Sequence, residues 1–427
     1  MLACVRLLKP LGLFLAAGFI LGSAAAADPA PRWWKGNLHT HSLWSDGDDY
    51  PEMIADWYKQ QGYHFLALSD HNVIQTGERW SMVSTNKGGT NAFAKYLARF
   101  GRDWVESRVM DGKLQVRLQP LDKFRPRFDE PGKFLLIQSE EITDRHLTAP
   151  VHINATNPRE LIQPRGGGDV FEVMQNNVNQ VLEQRRRTGQ PMFPHLNHPN
   201  FGWGVTAEEL MRVRGERFFE VYNGHPTVHN EGDAVHAGTD RIWDIMLTWR
   251  IAILDLEPVF GLGTDDSHHY QRTAATNSNS GRGWVMVRAP GLTTESLIAA
   301  MEAGDFYASS GVRLKDVRRE KHRLAVEIEA EPGVSYTTQF IGTRRGFDRR
   351  SEPVRAANGE ALRVTHRYSK DVGAVLAEVP GSAPNYSLKG DELYVRAKII
   401  SSKPKANGAL KGELETAWTQ PLVSGVK

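Results

Sequence analysis

Short apolar runs and segments of helical periodicity alternate along the first two thirds of this chain. Leu38 to Thr40 reads as a strand. Pro51 to Gln61 follows with Met53, Ile54, Trp57 and Tyr58 on one face, a proline at its first turn and Gly62 as its stop, the signature of an amphipathic helix. Tyr63 to Ser69 is the next strand. This βαβ rhythm implies a parallel sheet or barrel. Residues 73–130 interrupt it: Thr90 to Val109 has an aromatic-rich helical pattern (Phe93, Tyr96, Leu97, Phe100, Trp104), and 122–129 is charged, so the stretch reads as an insertion that walls one side of a site. The rhythm resumes with Phe134 to Gln138, a helix from about Val170 to Arg187, and a strand starting at Met192-Phe193. Phe218 to Tyr222, Ile251 to Leu254 and Val259 to Gly263 read as further strands, and Thr293 caps a helix that stops near Gly304.

From about Arg313 the period changes to two. Leu324 to Ile328, Tyr336 to Ile341, Ala361 to Thr365 and Glu392 to Ile400 are separated by turn residues, which predicts a small all-β, sandwich-like domain over 313–427. Only two of the 15 histidines, His322 and His366, fall in it, so the chemistry is expected in 28–312.

The first 27 residues carry a basic start (Arg6, Lys9), an apolar run from Leu11 to Leu21 and small residues from Ala24 to Ala27, the layout of an export signal. The run is short for a membrane span, which needs about 20 residues. A periplasmic or secreted protein, free of the membrane after cleavage, is expected. Removing that segment takes two bases and no acid from a chain with 52 Lys+Arg and 50 Asp+Glu, which leaves the charges balanced and argues against a nucleic-acid partner. The one cysteine, Cys4, lies inside the signal, so any metal site must be built from His, Asp and Glu.

Candidate ligands gather at the expected strand ends. His39 and His41 are two apart, and strand alternation would turn both toward one cation. Asp46 follows in a glycine-containing loop, and His71 ends the next strand. Further along come Glu140-Glu141, His152, His195, His198, Asp265, Asp266 and His268. Alternation turns only one of Glu140 and Glu141 inward. His195 and His198, three apart, face opposite sides unless the strand has already ended. Imidazole with carboxylate suits Zn, Mn or Fe and disfavours calcium.

The ordered set His39-x-His41, Ser45-Asp46-Gly47, Asp70-His71, Glu141-Ile142, His152, Asn197-His198-Pro199 and Asp266-x-His268 resembles the polymerase and histidinol phosphatase (PHP) superfamily over residues 36–312. Glu140 to Thr143, Val151 to Asn154 and Glu220 to Asn223 look most like its secreted branch, which includes carbaryl hydrolase. The resemblance implies an α/β fold, a distorted (β/α)7 barrel, with two or three divalent ions. By motif, His39, His41 and Asp266 would bind one ion, His152 and His198 a second, and Asp46, His71 and His268 a third. Glu141 would bridge the first two, and His195 competes with His198 for its place. Glu141, Asp266 and His268 are thereby the expected catalytic set. The implied activity is that of an exported metal-dependent phosphoesterase, cleaving small organic phosphate mono- or diesters through a metal-bridging hydroxide. A carbamate, ester or amide hydrolase is the alternative, and a non-catalytic metal-binding protein the third reading. His195, Asn223, His225 and His229 are candidates for the substrate pocket. Arg79, Arg272 and Arg282 are candidates for stabilising the substrate. The partner expected is a small-molecule substrate; oligomeric state is not encoded in any of these patterns.

Overall fold

The computed structural model describes Met1 and residues 30–424, so the expected export signal lies, apart from Met1, outside the described residues. No described helix is long and apolar enough to cross a membrane. The chain is mixed α/β. Its first elements are β1 (Arg32–Asn37), α1 (Pro51–Gln60) and β2 (Phe65–Leu68). Helix α1 starts on Pro51 and buries Ile54, Ala55 and Tyr58, while all four residues of β2 are buried.

The insertion forms its own layer: β3 (Arg79–Met82), α2 (Gly89–Phe100), β4 (Ser107–Met110), β5 (Lys113–Leu118) and α3 (Leu121–Phe128), with an antiparallel sheet in the order β3-β5-β4. The helix expected to reach Val109 stops at Gly101, whose φ of +77° only glycine adopts without cost, and the residues beyond it turn into a hairpin.

Next come β6 (Leu135–His146), β7 (Ala149–Thr156), α4 (Val170–Thr188), β8 (Phe193–Leu196), α5 (Ala207–Leu210), β9 (Phe218–Asn223), α6 (Thr239–Ala252), β10 (Phe260–Thr264), β11 (Trp284–Ala289), α7 (Thr294–Glu302) and β12 (Phe306–Ser309). Asp169 caps α4 by accepting from the Glu172 amide, and Thr293 caps α7 through the Ser296 amide. The carboxyl-terminal part adds β13 (Leu314–Glu320), β14 (Arg323–Ile328), β15 (Tyr336–Arg344), β16 (Ser351–Glu352), β17 (Arg367–Tyr368), β18 (Ala374–Pro380), β19 (Asn385–Ser387), β20 (Glu392–Pro404), β21 (Leu414–Thr419) and β22 (Leu422–Val423).

The main sheet runs β10-β9-β8-β7-β6-β2-β1-β11-β12-β21-β20-β15-β18, with β22 beside β20. Pairs β1–β2, β2–β6, β8–β9 and β9–β10 are parallel, but β6–β7 and β7–β8 are antiparallel. The expected seven β/α units are therefore not all present. A two-residue turn, with Leu147 at φ 52°, joins β6 to β7 as an antiparallel hairpin. Two expected strands are also absent. Ile251-Ala252 ends α6, and Ala361 makes only an isolated bridge to Arg355.

The two ends of the strand run from β10 to β1 meet just past the strands. Thr40 bridges Ser267 in parallel, the His41 amide donates to Ser267 O (3.0 Å), and the Asp266 amide donates to His39 O (3.0 Å). The His-x-His segment thus lies beyond β1, tied to the ends of β2 and β10. The carboxyl-terminal strands continue the same sheet through β12–β21, and Arg396 on β20 grips Asp244 of α6 with two hydrogen bonds (2.8 and 2.7 Å).

Candidate metal centre

Nine of the expected ligands converge where those strand ends meet. Glu141 stands at the middle. Its Oε1 faces His152 Nδ1 (2.9 Å) and His198 Nε2 (3.4 Å); its Oε2 faces His71 Nδ1 (2.8 Å), His41 Nε2 (3.2 Å) and His39 Nε2 (3.4 Å). Asp266 Oδ1 lies 3.2 Å from both His39 Nε2 and His41 Nε2, and those two nitrogens are 3.1 Å apart. Asp46 Oδ1 lies 3.2 Å from His268 Nε2 and 3.6 Å from His71 Nε2. Ligand atoms close enough to share one ion occur, among the described residues, in the groups His39–His41–Asp266, His39–Glu141–His198, His71–Glu141–His152, His41–Asp46–His71–His268 and, behind these, His39–His195–Glu220.

The donor chemistry fits divalent cations. Glu141 Oε2 and Asp46 Oδ1 are buried and, among the described residues, have no well-aligned hydrogen-bond partner, although both point at imidazole nitrogens. An unpartnered buried carboxylate oxygen is costly, and a cation among such oxygens and nitrogens removes that cost. The electrostatics agree. Burial opposes ionisation of Glu141, yet His71, His39 and His152 hold its carboxyl well below the usual range. Asp266 is lowered likewise against burial, chiefly by His39 and His41. Burial disfavours a charged His39, but Asp266, Glu220 and Glu141 overturn it and raise the ring well above its usual value. His71 rises to about 9 against burial, mainly through Glu141. His41 falls to about 3 because it is buried beside His268 and His71.

The paired acids separate cleanly. Glu140 points away from the cluster, accepts from the Ile162 amide (2.9 Å), and burial pushes it up to about 8. Asp265 also points away. It accepts from Tyr58 Oη (2.7 Å) and from the amides of Gly281, Arg282 and Gly283 (2.9, 2.6 and 2.8 Å). Asp266 reaches the cluster from the left-handed region, φ 49°, where Asp is tolerated better than most residues. Strand β8 ends at Leu196, which frees His198 to turn inward on the same side as His195.

The expected pocket residues are spread out. His225 lines the mouth, its ring centroid 5.5 Å from that of His268, and burial with its histidine neighbours lowers it to about 4. His195 and Asn223 are buried behind the ligands. Neither ring nitrogen of His195 has a hydrogen-bond partner, and Asn223 Nδ2 donates to Glu220 Oε2 (2.8 Å) and Asp266 Oδ2 (3.1 Å). His229 stacks on Trp203 (4.7 Å, 15°) and does not line the mouth. Arg282 is buried and donates to the carbonyls of Gly224, Ala274 and Asn407, so it braces loops. Arg79 lies 5.7 Å over the Trp44 ring. Arg272 does not line the mouth either.

Other residues at the centre stand inside the sequence motifs, or outside them in the case of Lys87, without being singled out there for a role. Glu220 accepts from His39 Nδ1 (2.7 Å), the His198 amide (2.8 Å) and Thr264 Oγ1 (2.8 Å). Glu220 enters the sequence pattern only as part of the segment Glu220 to Asn223, and its charge inside a buried strand is a second clue to it. Asn197 Nδ2 donates to Glu141 Oε1 (2.7 Å), and Asp70 clamps the His-x-His loop through Ser42 and Ser45. Lys87, from the insertion, donates to Asp46 Oδ2 (3.0 Å).

No family model matches the chain. It is similar to the DNA polymerase/3′-5′ exonuclease PolX of Bacillus subtilis (strain 168), with 25% identity over 205 residues, 44% of this chain. The match spans 33% of that relative's length. A crystal structure from Bacteroides vulgatus ATCC 8482, of a two-domain protein containing a predicted PHP-like metal-dependent phosphoesterase, aligns over 94% of this chain and 100% of its own. The TM-score is 0.38 and the identity 14%.

Proposed function

We propose that this chain is a metal-dependent hydrolase of the PHP type, exported by residues 1–27, and a phosphoesterase for small organic phosphate mono- or diesters. The observation that carries this reading is Glu141: fully buried, with histidines on both carboxylate oxygens and, among the described residues, no well-aligned hydrogen bond to Oε2. His39, His41 and Asp266 would hold one divalent ion (Zn, Mn or Fe), His152 and His198 a second, with Glu141 between them, and Asp46, His71 and His268 a third. Ions bound there would supply Lewis-acid polarisation of a phosphoryl group and bring the pKa of a water toward neutrality.

The chain's own residues do the positioning. Glu220 accepts from His39 Nδ1 and so points Nε2 into the centre. Asn197 holds Glu141 Oε1, and Asn223 holds Asp266 Oδ2. Phe201 and His225 line the mouth side by side, their ring centroids 6.4 Å apart. His225, uncharged at neutral pH because burial lowers it to about 4, presents a neutral imidazole at the mouth. The similarity to PolX supports the family reading.

Elemental analysis of the purified protein, with rates on p-nitrophenyl phosphate, bis-p-nitrophenyl phosphate and an aryl carbamate, tests the proposal. Bound divalent metal and phosphate-ester turnover are expected. Turnover of the carbamate alone would move the assignment to the carbaryl-hydrolase type. Metal without any turnover would leave only a binding protein.

A further inference from the structure

The cavity above the centre has a volume of about 190 Å³. That is small beside the roughly 300 Å³ at which ordinary ligand pockets begin, and suits a compact head group. Histidines make most of its wall, with Phe201 on one side. Among the described residues Lys87 is the one Lys or Arg on that wall, and it comes from the insertion, not from the strand ends.

Its turn is firmly placed. Met82 O accepts from the Thr85 and Asn86 amides (3.2 and 3.0 Å), and Asn86 Oδ1 accepts from the Gly89 amide (2.7 Å). A Cβ on Gly88 would overlap the Asp48 carbonyl, so the backbone there packs directly against the loop that carries Asp46. The side chain itself is about half exposed, at 54%. An ammonium has three donors. One reaches Asp46 Oδ2, and among the described residues Lys87 Nζ has no second acceptor. Asp46 is shared as well: Oδ1 faces His41, His71 and His268 at 3.8, 3.6 and 3.2 Å, and Oδ2 faces Lys87.

Resting on the phosphoesterase reading, we propose that Lys87 is the specificity-determining residue for anionic substrates, and that one of its two free N–H donors takes a non-bridging oxygen of the phosphoryl group in the mouth. The insertion thereby supplies a fixed positive charge that the strand-end ligands lack. A neutral ester gains nothing from it, so Lys87 separates phosphate esters from carboxyl esters.

The test uses the metal-loaded full chain with Lys87→Ala and Lys87→Arg. Three readouts are taken: calorimetric binding of inorganic phosphate, kcat/KM on p-nitrophenyl phosphate and p-nitrophenyl acetate, and metal content. Losing one charge-assisted hydrogen bond should weaken phosphate binding of Lys87→Ala by about 10- to 100-fold, with a matching loss on the phosphate ester. The acetate ester and the metal content should be unchanged, and arginine should restore most of the binding. Phosphate binding that is unchanged in Lys87→Ala, or absent from the unaltered protein, overturns the proposal. So does an equal loss on the acetate ester, or loss of metal, which would make Lys87 a positioning residue for Asp46. Lys87-dependent phosphate binding without phosphate-ester turnover would instead overturn the phosphoesterase reading and leave this inference standing.

Discussion

His39 Nδ1 lies 2.7 Å from Glu220 Oε1, and both side chains are fully buried. The contact sets the tautomer of the ring. With Nδ1 donating to the carboxylate, Nε2 faces Asp266 and Glu141 and is free to give its lone pair to a cation bound among them. Glu220 is held in turn by the His198 amide, Thr264 and Asn223, so it orients ligands from two strand ends at once.

Glu220→Gln should therefore weaken metal affinity by about 10- to 100-fold, the usual effect of losing such an orienting carboxylate. Competition against a chromogenic chelator measures it without reference to turnover. An affinity equal to that of the unaltered protein would mean that His39 is oriented by its other neighbours.

Glu140 and Glu141 should respond oppositely to the same change. Glu141→Gln removes the carboxylate that five histidines face, and both metal content and hydrolysis should be lost. Glu140→Gln should keep both. If only the Glu140 variant loses activity, the register of the strand is shifted by one residue.

Glu140 also predicts a pH effect. Burial raises its folded value from 4.5 to about 8, so the fold binds that proton more tightly than the unfolded chain does. The resulting stability is complete below about pH 4.5 and is lost as the pH climbs toward 8. Glu140→Gln removes this component. The difference in urea midpoint between variant and unaltered protein should shift in the variant's favour from pH 5 to pH 8. A difference that does not change with pH would show that Glu140 is already ionised in the fold.

Asp265 and Asp266 make a similar pair. Asp265 accepts from four donors, and an amide in its place turns an NH2 against some of them. Asp265→Asn should cost about 1–3 kcal/mol of stability and keep the metal. Asp266→Asn retains a residue type tolerated at φ 49° but loses the ligand charge, so turnover should fall with little change in Tm. Thermal melts and metal analysis of both variants check this. The reverse pattern would make Asp265 the ligand.

These neighbouring pairs mark how far the sequence could be read. Alternation required one of Glu140 and Glu141 to face inward, and the structure turns Glu141 in because its strand runs straight through the site. The His-x-His spacing identified the two histidines, but for a different geometric reason: residues 39–41 lie past the end of β1 and are shaped by bonds to Ser267 and Ser69. The β6–β7 hairpin was hidden because its turn carries Leu147 at positive φ instead of a glycine. Ile251 to Leu254 has strand-like composition, yet the burial of Ile242, Trp243, Met246 and Leu247 carries the helix into it. Lys87 was invisible because its nearness to Asp46 is made entirely by the fold of the insertion.

The last prediction concerns Asp46 and His268. Asp46 Oδ1 meets His268 at 3.2 Å and His71 at 3.6 Å, on the open side of the centre, where the Asp46 side chain is 41% exposed. Glu141 and Asp266 sit at its floor with side chains 0% and 6% exposed. A cation held on the open side meets the substrate more than it meets the buried carboxylates, and its worth depends on the charge that the substrate brings. His268→Ala should therefore lower kcat/KM on a phosphate ester by about tenfold or more, while a neutral carboxyl ester falls by less than about threefold, because the phosphate ester brings a negative charge to that ion and the carboxyl ester brings none. Asp46→Asn should show the same split. If the two residues hold one ion, the double variant should be no worse than the poorer single, since the second change removes nothing that remains. Multiplying losses in the double variant would place Asp46 and His268 at separate tasks. An equal fall on both esters would move His268 from the substrate side to the nucleophile side of the centre.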